Sequence, residues 1–453
     1  MDVIYPRCAG LDVHKKTVRV CLLLRGENGR NHKEYRTYGT TTQEVLELLE
    51  WLLSQECSHV ALEGTGVYWK PIFNLFEGQI QVLVVNAQHI KAVPGRKTDT
   101  KDAEWIADLL QHGLLKASFI PSAPQRELRE LTRYRVRLTE ERTREVNRVQ
   151  KTLEGCNLKL GDVVSDVVGK ASRMILSAIA DGESDPTRLA SLAVGRVRAS
   201  QEELEAALTG TVSAHHRFLL REHLTHIAHL DQSIERITAE ITRRLTPPDP
   251  PDEDEMGKAK ASQDQKLQGE EDQTVTSSQE SERSWEEAVR IAMSLPGIAE
   301  RAASGILAEI GINMQQFPTD AHLASWIGLC PGNHESAGKR LSGKMRKGNP
   351  WARRLLLQAA QVVSRQKKGY LPAFYHRIAA RRGKKRALMA LAHRILVILY
   401  HLLRDGTLYE EKGEGFLEER DRDIMEKRLV RQLERLGNQV TLQPLAQAGS
   451  FLT

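Results

Sequence analysis

Four acidic residues stand at positions that could gather carboxylates at one point: Asp12 at the end of an apolar run, Glu63 at the end of another, and Asp99 and Asp102 in KTDTKDAEW. Asp99 and Asp102 are three residues apart and share a face if a helix begins near Asp99. Carboxylate oxygens suit hard cations such as Mg²⁺, which take a few acidic ligands and complete their shell with water and substrate phosphates. Two such ions can stabilise the attacking and leaving oxygens in phosphodiester chemistry. Each acid also has an ordinary reading, as a turn residue or as the acidic partner of a helix dipole. A second set of residues is basic. In WIGLCPGNHESAGKRLSGKMRKGNPWARRLLL, Ser336 and Ser342 lie among Gly332, Gly338, Gly343 and Gly348, surrounded by Lys339, Arg340, Lys344, Arg346 and Lys347, with Asn349, Arg353 and Arg354 following. A serine hydroxyl in such a field can attack a phosphodiester, because cations stabilise the charge that develops. The same loop could simply grip phosphates. Between them lies LPGIAERAASGILAEIG (295–311), a Pro-Gly turn between two apolar-periodic helices, which either offers backbone N–H groups to a phosphate or is a plain packing unit.

Charge is unevenly distributed along the 453 residues, although the net charge is only +6. Ala337 to Arg404 holds 18 Lys or Arg and no acid, whereas Pro247 to Glu287 holds 13 acids and 4 bases. An acid-free block of this length suits a polyphosphate partner, each contact releasing condensed counterions; a solvated basic helix face is the plainer account.

The elements that must position these groups follow from periodicity. Residues 8–24 read as two strands joined by a tight turn, with Asp12 closing the first. Thr42 to Ser54 reads as a capped helix. His59 to Leu62 is a short strand ending at Glu63, a helix runs from about Tyr68 to Phe76, Gln81 to Val85 is a strand, and Lys101 to Leu115 is a helix. Alternation of this kind makes residues 1–121 an α/β domain with a mixed sheet. From Ser122 the chain is nearly all helix. Leu128, Leu131, Leu138, Val146, Val149 and Leu153 mark one long helix, and Ile227, Leu230, Ile234, Ile237, Ile241 and Leu245 step as a coiled-coil seam, so 122–246 is a helical, coiled-coil region. Its histidines, His215, His216, His223, His226 and His229, fit surface and seam-flanking positions better than a metal site. Residues 247–284 have almost no large apolar side chains and read as a disordered acidic linker. A mostly helical domain occupies 285–404, and the tail 405–453 contains an amphipathic helix at Asp421 to Leu436.

Composition excludes other classes. Apolar residues are 40% and charged residues 27%, as in globular protein. No stretch approaches 18 uncharged apolar residues and no signal-peptide pattern opens the chain, so a cytoplasmic protein is expected. Cys8, Cys21, Cys57, Cys156 and Cys330 stand alone, which fits reduced thiols rather than disulfides or zinc.

The order of LDVHKK, LEGTGVYW, KTDTKDAEWIADLL, LPGIAERAASGILAEIG, WIGLCPGNHESAGKR and KGNPWARRLL resembles the DEDD-type transposases of bacterial insertion sequences, understood as bridge-RNA-guided recombinases. The resemblance covers about 8–155 and 290–400. It implies a RuvC-like, RNase H-type amino-terminal domain whose tetrad, here Asp12, Glu63, Asp99 and Asp102, binds Mg²⁺. It also implies a carboxy-terminal transposase domain with a serine nucleophile, which falls on Ser336, with Ser342 as the fallback. Further implications are a composite site between subunits of a dimer or tetramer, a covalent phosphoserine link to donor and target DNA, a non-coding guide RNA, and a nucleoid-associated location. The acidic linker and long helical middle exceed what a compact member needs. A metal-dependent nuclease or resolvase without a covalent intermediate is the alternative, and a noncatalytic nucleic-acid-binding scaffold is a third class.

Overall fold

The computed structural model describes residues 2–26, 29–64, 66–86, 102–193, 198–246, 284–330, 334–336, 339–342, 347–437 and 440–441. The chain divides into two compact units, Met1–Ser122 and Ala123–Thr453.

The first unit is a five-stranded sheet with helices on both faces. Strands β1 (Arg7–Val13), β2 (Thr17–Arg25) and β3 (Asn31–Gly39) form an antiparallel meander, while β4 (His59–Glu63) and β5 (Gln81–Val85) pair in parallel, giving the order β3-β2-β1-β4-β5. Between them run α1 (Thr42–Ser54) and α2 (Trp69–Phe76), followed by α3 (Asp102–Gln111). The expected capping of α1 is a full capping box between Thr41 and Glu44. Strand alternation sorts the two faces. Ala9, Leu11, Val60 and Leu62 pack with Leu48, Leu52, Ile72 and Phe76 of α1 and α2. Cys8, Ala61 and Val85 pack with Ile106, Ala107 and Leu110 of α3.

Two points of the expected fold need correction here. The strand β3, NHKEYRTYG, is absent from the sequence reading because its side chains are mostly polar and exposed, as an edge strand requires. The helix expected over Lys101 to Leu115 stops at Gln111, since Gly113 takes φ +65 and turns the chain. On α1, Trp51 is buried with Val45, Leu48, Leu49 and Leu52, whereas Leu46 and Leu53 are exposed.

The second unit opens with α4 (Ala123–Gly155) and α9 (Ala214–Leu245), separated by four shorter helices: α5 (Leu160–Val163), α6 (Lys170–Asp181), α7 (Pro186–Ser191) and α8 (Gln201–Leu208). Leu128 packs with Ile241 and Leu245, Leu138 with Leu230 and Ile234, and Val149 and Leu153 lie in the cluster with Leu220 and Ile227. The two long helices are therefore antiparallel partners along the seam. The short helices bury Ile175, Leu176, Ile179, Leu189, Leu204 and Leu208 against its far end. Among the histidines, His223 Nδ1 lies 2.6 Å from the buried Glu145 of α4, and His226 is 3.4 Å from it. Burial alone would raise the Glu145 pKa, but hydrogen bonds with His223 and Arg148 hold it below the ordinary value. No group of three metal-capable side chains forms there among the described residues.

The rest of the unit comprises α10 (Trp285–Met293), α11 (Glu300–Ile310), a 3₁₀ turn (Met314–Gln316), α12 (Asp320–Ile327), the strands β6 (His334–Ser336) and β7 (Lys339–Ser342), α13 (Pro350–Val363), α14 (Tyr370–Arg382), α15 (Lys384–Asp405) and α16 (Phe416–Arg435). The helices α10 to α15 and the 3₁₀ turn share one core around α15, whose Leu391, Ile395, Leu396 and Leu399 are fully buried. By length and composition α15 could cross a membrane, yet those residues are its contribution to the core. All five cysteines are free thiols. Burial pushes Cys8 and Cys57 up to about 12, which makes both inert. The acidic segment 247–283 lies outside the described residues.

Candidate functional site

Three of the four expected acids are described, and local folding brings them to one face and one edge of the sheet. Leu11 pairs with Leu62 in the parallel β1/β4 register, so Asp12 and Glu63 follow at neighbouring strand ends. Alternation puts Asp12 on the face of Cys8 and Gly10, and Glu63 on the face of Ala61. That face is covered by α3. The helix lies unusually close because Gly10 has no side chain: a Cβ there would sit 2.2 Å from the Ala103 carbonyl oxygen and 2.4 Å from the Ala107 nitrogen. Cys8 Sγ donates to the Ala107 carbonyl at 3.7 Å, which fixes the direction of α3, its start toward Asp12. Asp102 is the first residue of that helix.

The donor chemistry suits a hard divalent cation, but the three described acids do not by themselves assemble a ligand cluster. Asp12 Oδ2 is 3.1 Å from His14 Nε2, an arrangement of the HKK turn not anticipated from the sequence. No three His, Cys, Asp or Glu groups stand close enough to share a metal among the described residues. Asp99 lies outside them.

In the second unit, Ser336 ends β6 and is register-paired with Lys339 at the start of β7, which places it beside the hairpin turn. Ser342 ends β7 opposite His334, next to a register irregularity. Arg340 pairs with Glu335. Lys344 and Arg346 lie outside the described residues, and Lys347 is exposed.

The base of this loop is built more firmly than the sequence suggested. Gly328 closes α12 in the left-handed region, and the Asn349 N–H donates to the Trp326 carbonyl at 3.2 Å. A Cβ on Gly348 would stand 2.3 Å from the Ile327 carbonyl oxygen, so only glycine lets the returning chain pass the departing one. Asn349, expected to touch nucleic acid, caps α13, its Oδ1 accepting from the Trp351 and Ala352 N–H groups at 3.0 and 3.1 Å. Its Nδ2 donates to Glu309 Oε2 at 2.6 Å. Arg354, expected in the same role, pairs with Glu140 of α4. Arg353 is half-buried on α13 and helps line an open hollow of about 390 Å³ with Arg354, Gln358 and Gln361.

Glu309 is the residue that sequence reasoning missed. Only 1% exposed, it also accepts from Arg133 Nε and Nη2 at 2.6 and 2.7 Å, and Arg129 Nε is 3.3 Å away. Arg129 further donates to the Ala308 carbonyl at 3.1 Å, and Gln125 Nε2 to the same oxygen at 3.2 Å. Arg135 reaches Ser304 Oγ at 3.1 Å. Burial lowers the pKa of Arg129 and Arg135 to about 10, still fully cationic at neutral pH. The guanidinium of Arg129 also lies over Trp326, at 5.8 Å, and those of Arg133 and Arg137 over Trp351, at 5.6 and 5.7 Å. Helix α4 thus grips both sides of the loop base. The available signal was a lone charge in a helix end otherwise apolar all round, ILAEIG. The Pro-Gly turn before α11 is a packing device: Gly297, at φ +83, lies where a Cβ would meet the Ala359 carbonyl oxygen at 2.7 Å.

Comparison with known proteins finds two matched regions, the first of which extends from the sheet unit through α4. Residues 9–158 match a transposase family model of the DEDD, IS110 type, and residues 289–376 match that of the transposase IS116/IS110/IS902 family. The chain is 24% identical to the transposase for insertion sequence element IS1111A of Coxiella burnetii over 76% of its own length and 77% of that protein's. It is 26% identical to an uncharacterized 42 kDa protein of insertion element IS900 from Mycobacterium paratuberculosis, over 73% and 80%. An uncharacterized 43.6 kDa protein of insertion element IS110 from Streptomyces coelicolor is 32% identical, but the match spans only 26% of this chain and 29% of that protein. The two domain matches together cover just over half of the chain, and the chain belongs to the IS110 family of insertion-sequence transposases.

Proposed function

We propose that this transposase is an RNA-guided DNA recombinase that works through a covalent phosphoserine intermediate at Ser336, assisted by Mg²⁺ at Asp12, Glu63, Asp99 and Asp102. The observation that carries the reading is Ser336 beside the turn of a two-stranded hairpin, paired with Lys339 and immediately before the acid-free run Ala337 to Arg404, in a loop whose base is fixed to α4. Ser336 Oγ attacks a backbone phosphorus, forming an Oγ–P ester while one P–O bond to deoxyribose breaks. The serine proton ends on the departing deoxyribose hydroxyl. A hydroxyl from the other duplex reverses the step on the new strand, so the phosphodiester count is conserved and no external energy source is consumed. Lys339 and Arg340, with Lys344, Arg346 and Lys347, hold the phosphate and oppose its developing charge. Bound Mg²⁺ would supply Lewis-acid polarisation of the phosphate oxygens.

The sheet order β3-β2-β1-β4-β5, with acids at the ends of β1 and β4, supports an RNase H-like, RuvC-like reading of the first unit. Guide RNA, donor DNA and target DNA are the proposed partners, with base pairing reading sequence and the protein reading backbone and shape, in a dimer or tetramer within the bacterial nucleoid. The test is strand exchange between labelled donor and target DNA, with and without the flanking non-coding RNA and Mg²⁺. Exchange that requires both supports the reading. Free 3′-hydroxyl and 5′-phosphate ends without RNA dependence would replace it with a metal-dependent nuclease.

A further inference from the structure

The last helix of the second unit, α16, lies beyond both family matches and carries an amphipathic pattern that the proposed chemistry does not use. Its first residue is anchored: the Phe416 ring meets Tyr370 edge-on at 5.5 Å, and Lys412 Nζ lies 4.7 Å over the Phe416 ring. Downstream the helix shows an apolar face to solvent. Met425, Leu429 and Leu436 are 64%, 52% and 76% exposed, and their spacing sets them on one side of the helix over about three turns. Single exposed apolar residues are ordinary, whereas a continuous stripe signals a partner.

The charges say which partner. Residues 417–426 hold five acids and two bases, and residues 427–437 hold four bases and one acid, so the helix is negative in its first half and positive in its second. We infer that α16 is a self-association helix that pairs antiparallel with α16 of a second copy of this chain. A two-fold antiparallel contact sets the acidic half of each helix against the basic half of the other and closes both stripes at once. Parallel pairing would stack like charge on like charge.

Two charge-reversed full-length chains test this. One carries Glu418→Lys, Glu419→Lys and Asp421→Lys, leaving both halves basic; the other carries Lys427→Glu, Arg431→Glu and Arg435→Glu, leaving both acidic. Masses are read by light scattering during size exclusion, and circular dichroism confirms that each chain folds. Each variant alone should show about half the wild-type mass, and an equimolar mixture should restore it as a mixed complex. Wild-type mass in both separate variants, or no association on mixing, would overturn the inference. Leu429→Glu with Leu436→Glu should also halve the mass. Unchanged mass with faster proteolysis of α16 would mean that the stripe is covered within the same chain, which also overturns it.

Discussion

Asn349 Nδ2 donates to Glu309 Oε2 at 2.6 Å, and this contact ties the downstream end of the serine loop to the buried carboxylate that α4 holds with Arg129 and Arg133. Asn349 is held at both ends of its amide, because its Oδ1 is already capping α13. Removing the Glu309 charge strands two arginines in low dielectric, and breaking a buried pair costs about 3 to 5 kcal/mol. Arg133 reaches solvent, which sets the expectation at the low end, about 3 kcal/mol. Glu309→Gln should therefore lower the melting temperature clearly and reduce strand exchange more than DNA binding. Asn349→Ala, losing a cap worth about 1 kcal/mol, should do the same more mildly. Equal losses of exchange and binding would show that the contact supports only the fold.

Gly10 is the point where β1 and α3 touch, and it controls how close Asp102 comes to Asp12. Gly10→Ala should force α3 away, because the new methyl would fall 2.2 Å from a backbone oxygen. Activity should need a higher Mg²⁺ concentration, with lower stability by about 1 to 3 kcal/mol as expected for overpacking. A variant with wild-type Mg²⁺ dependence would separate α3 from the acidic site.

Much of this arrangement was legible in the sequence, for definable reasons. Short apolar runs bounded by turns gave four of the five strands of the first sheet. The 3-4 spacing from Ile227 to Leu245 gave the seam that α9 buries against α4. What escaped was held by polar contacts, most of them between residues far apart in the chain. Neither the pairing of Arg133 with Glu309 nor the cap at Asn349 leaves a periodic trace. Asn349 and Arg354 read as parts of a basic grip, and sequence does not show the contacts they also make inside the fold, such as Asn349 with Glu309. Helix α4 takes up Arg354 through Glu140.

Acid should weaken the α4/α9 pair in a defined window. Glu145 and Asp231 are both held below their ordinary values of 4.5 and 3.8, burial being outweighed by His223 and Arg148 in one case and by Arg142 and Arg173 in the other. A depressed carboxylate contributes stability that is present above its unfolded value and lost as pH falls through its folded value. Stability should thus fall below about pH 4.5, and Glu145→Gln should flatten part of that slope, Asp231 retaining the rest. A melting curve of Glu145→Gln with the full wild-type acid slope would contradict this.

The basic loop should act through phosphates. Neutralising Lys344, Arg346 and Lys347 to Gln should weaken DNA binding and lower the slope of log K against log salt by about 0.9 per lost phosphate contact. An unchanged slope would mean that these side chains face solvent.

The most direct test of the account is covalent capture. Purified protein incubated with guide RNA, Mg²⁺, donor and target DNA is resolved on a denaturing gel before and after protease, and adduct peptides are mapped by mass spectrometry. The account predicts a protease-sensitive DNA adduct carried by the Ser336 peptide, absent in Ser336→Ala and retained in Ser342→Ala. An adduct at wild-type level in Ser336→Ala, or cleaved DNA with no protein attached, would contradict it.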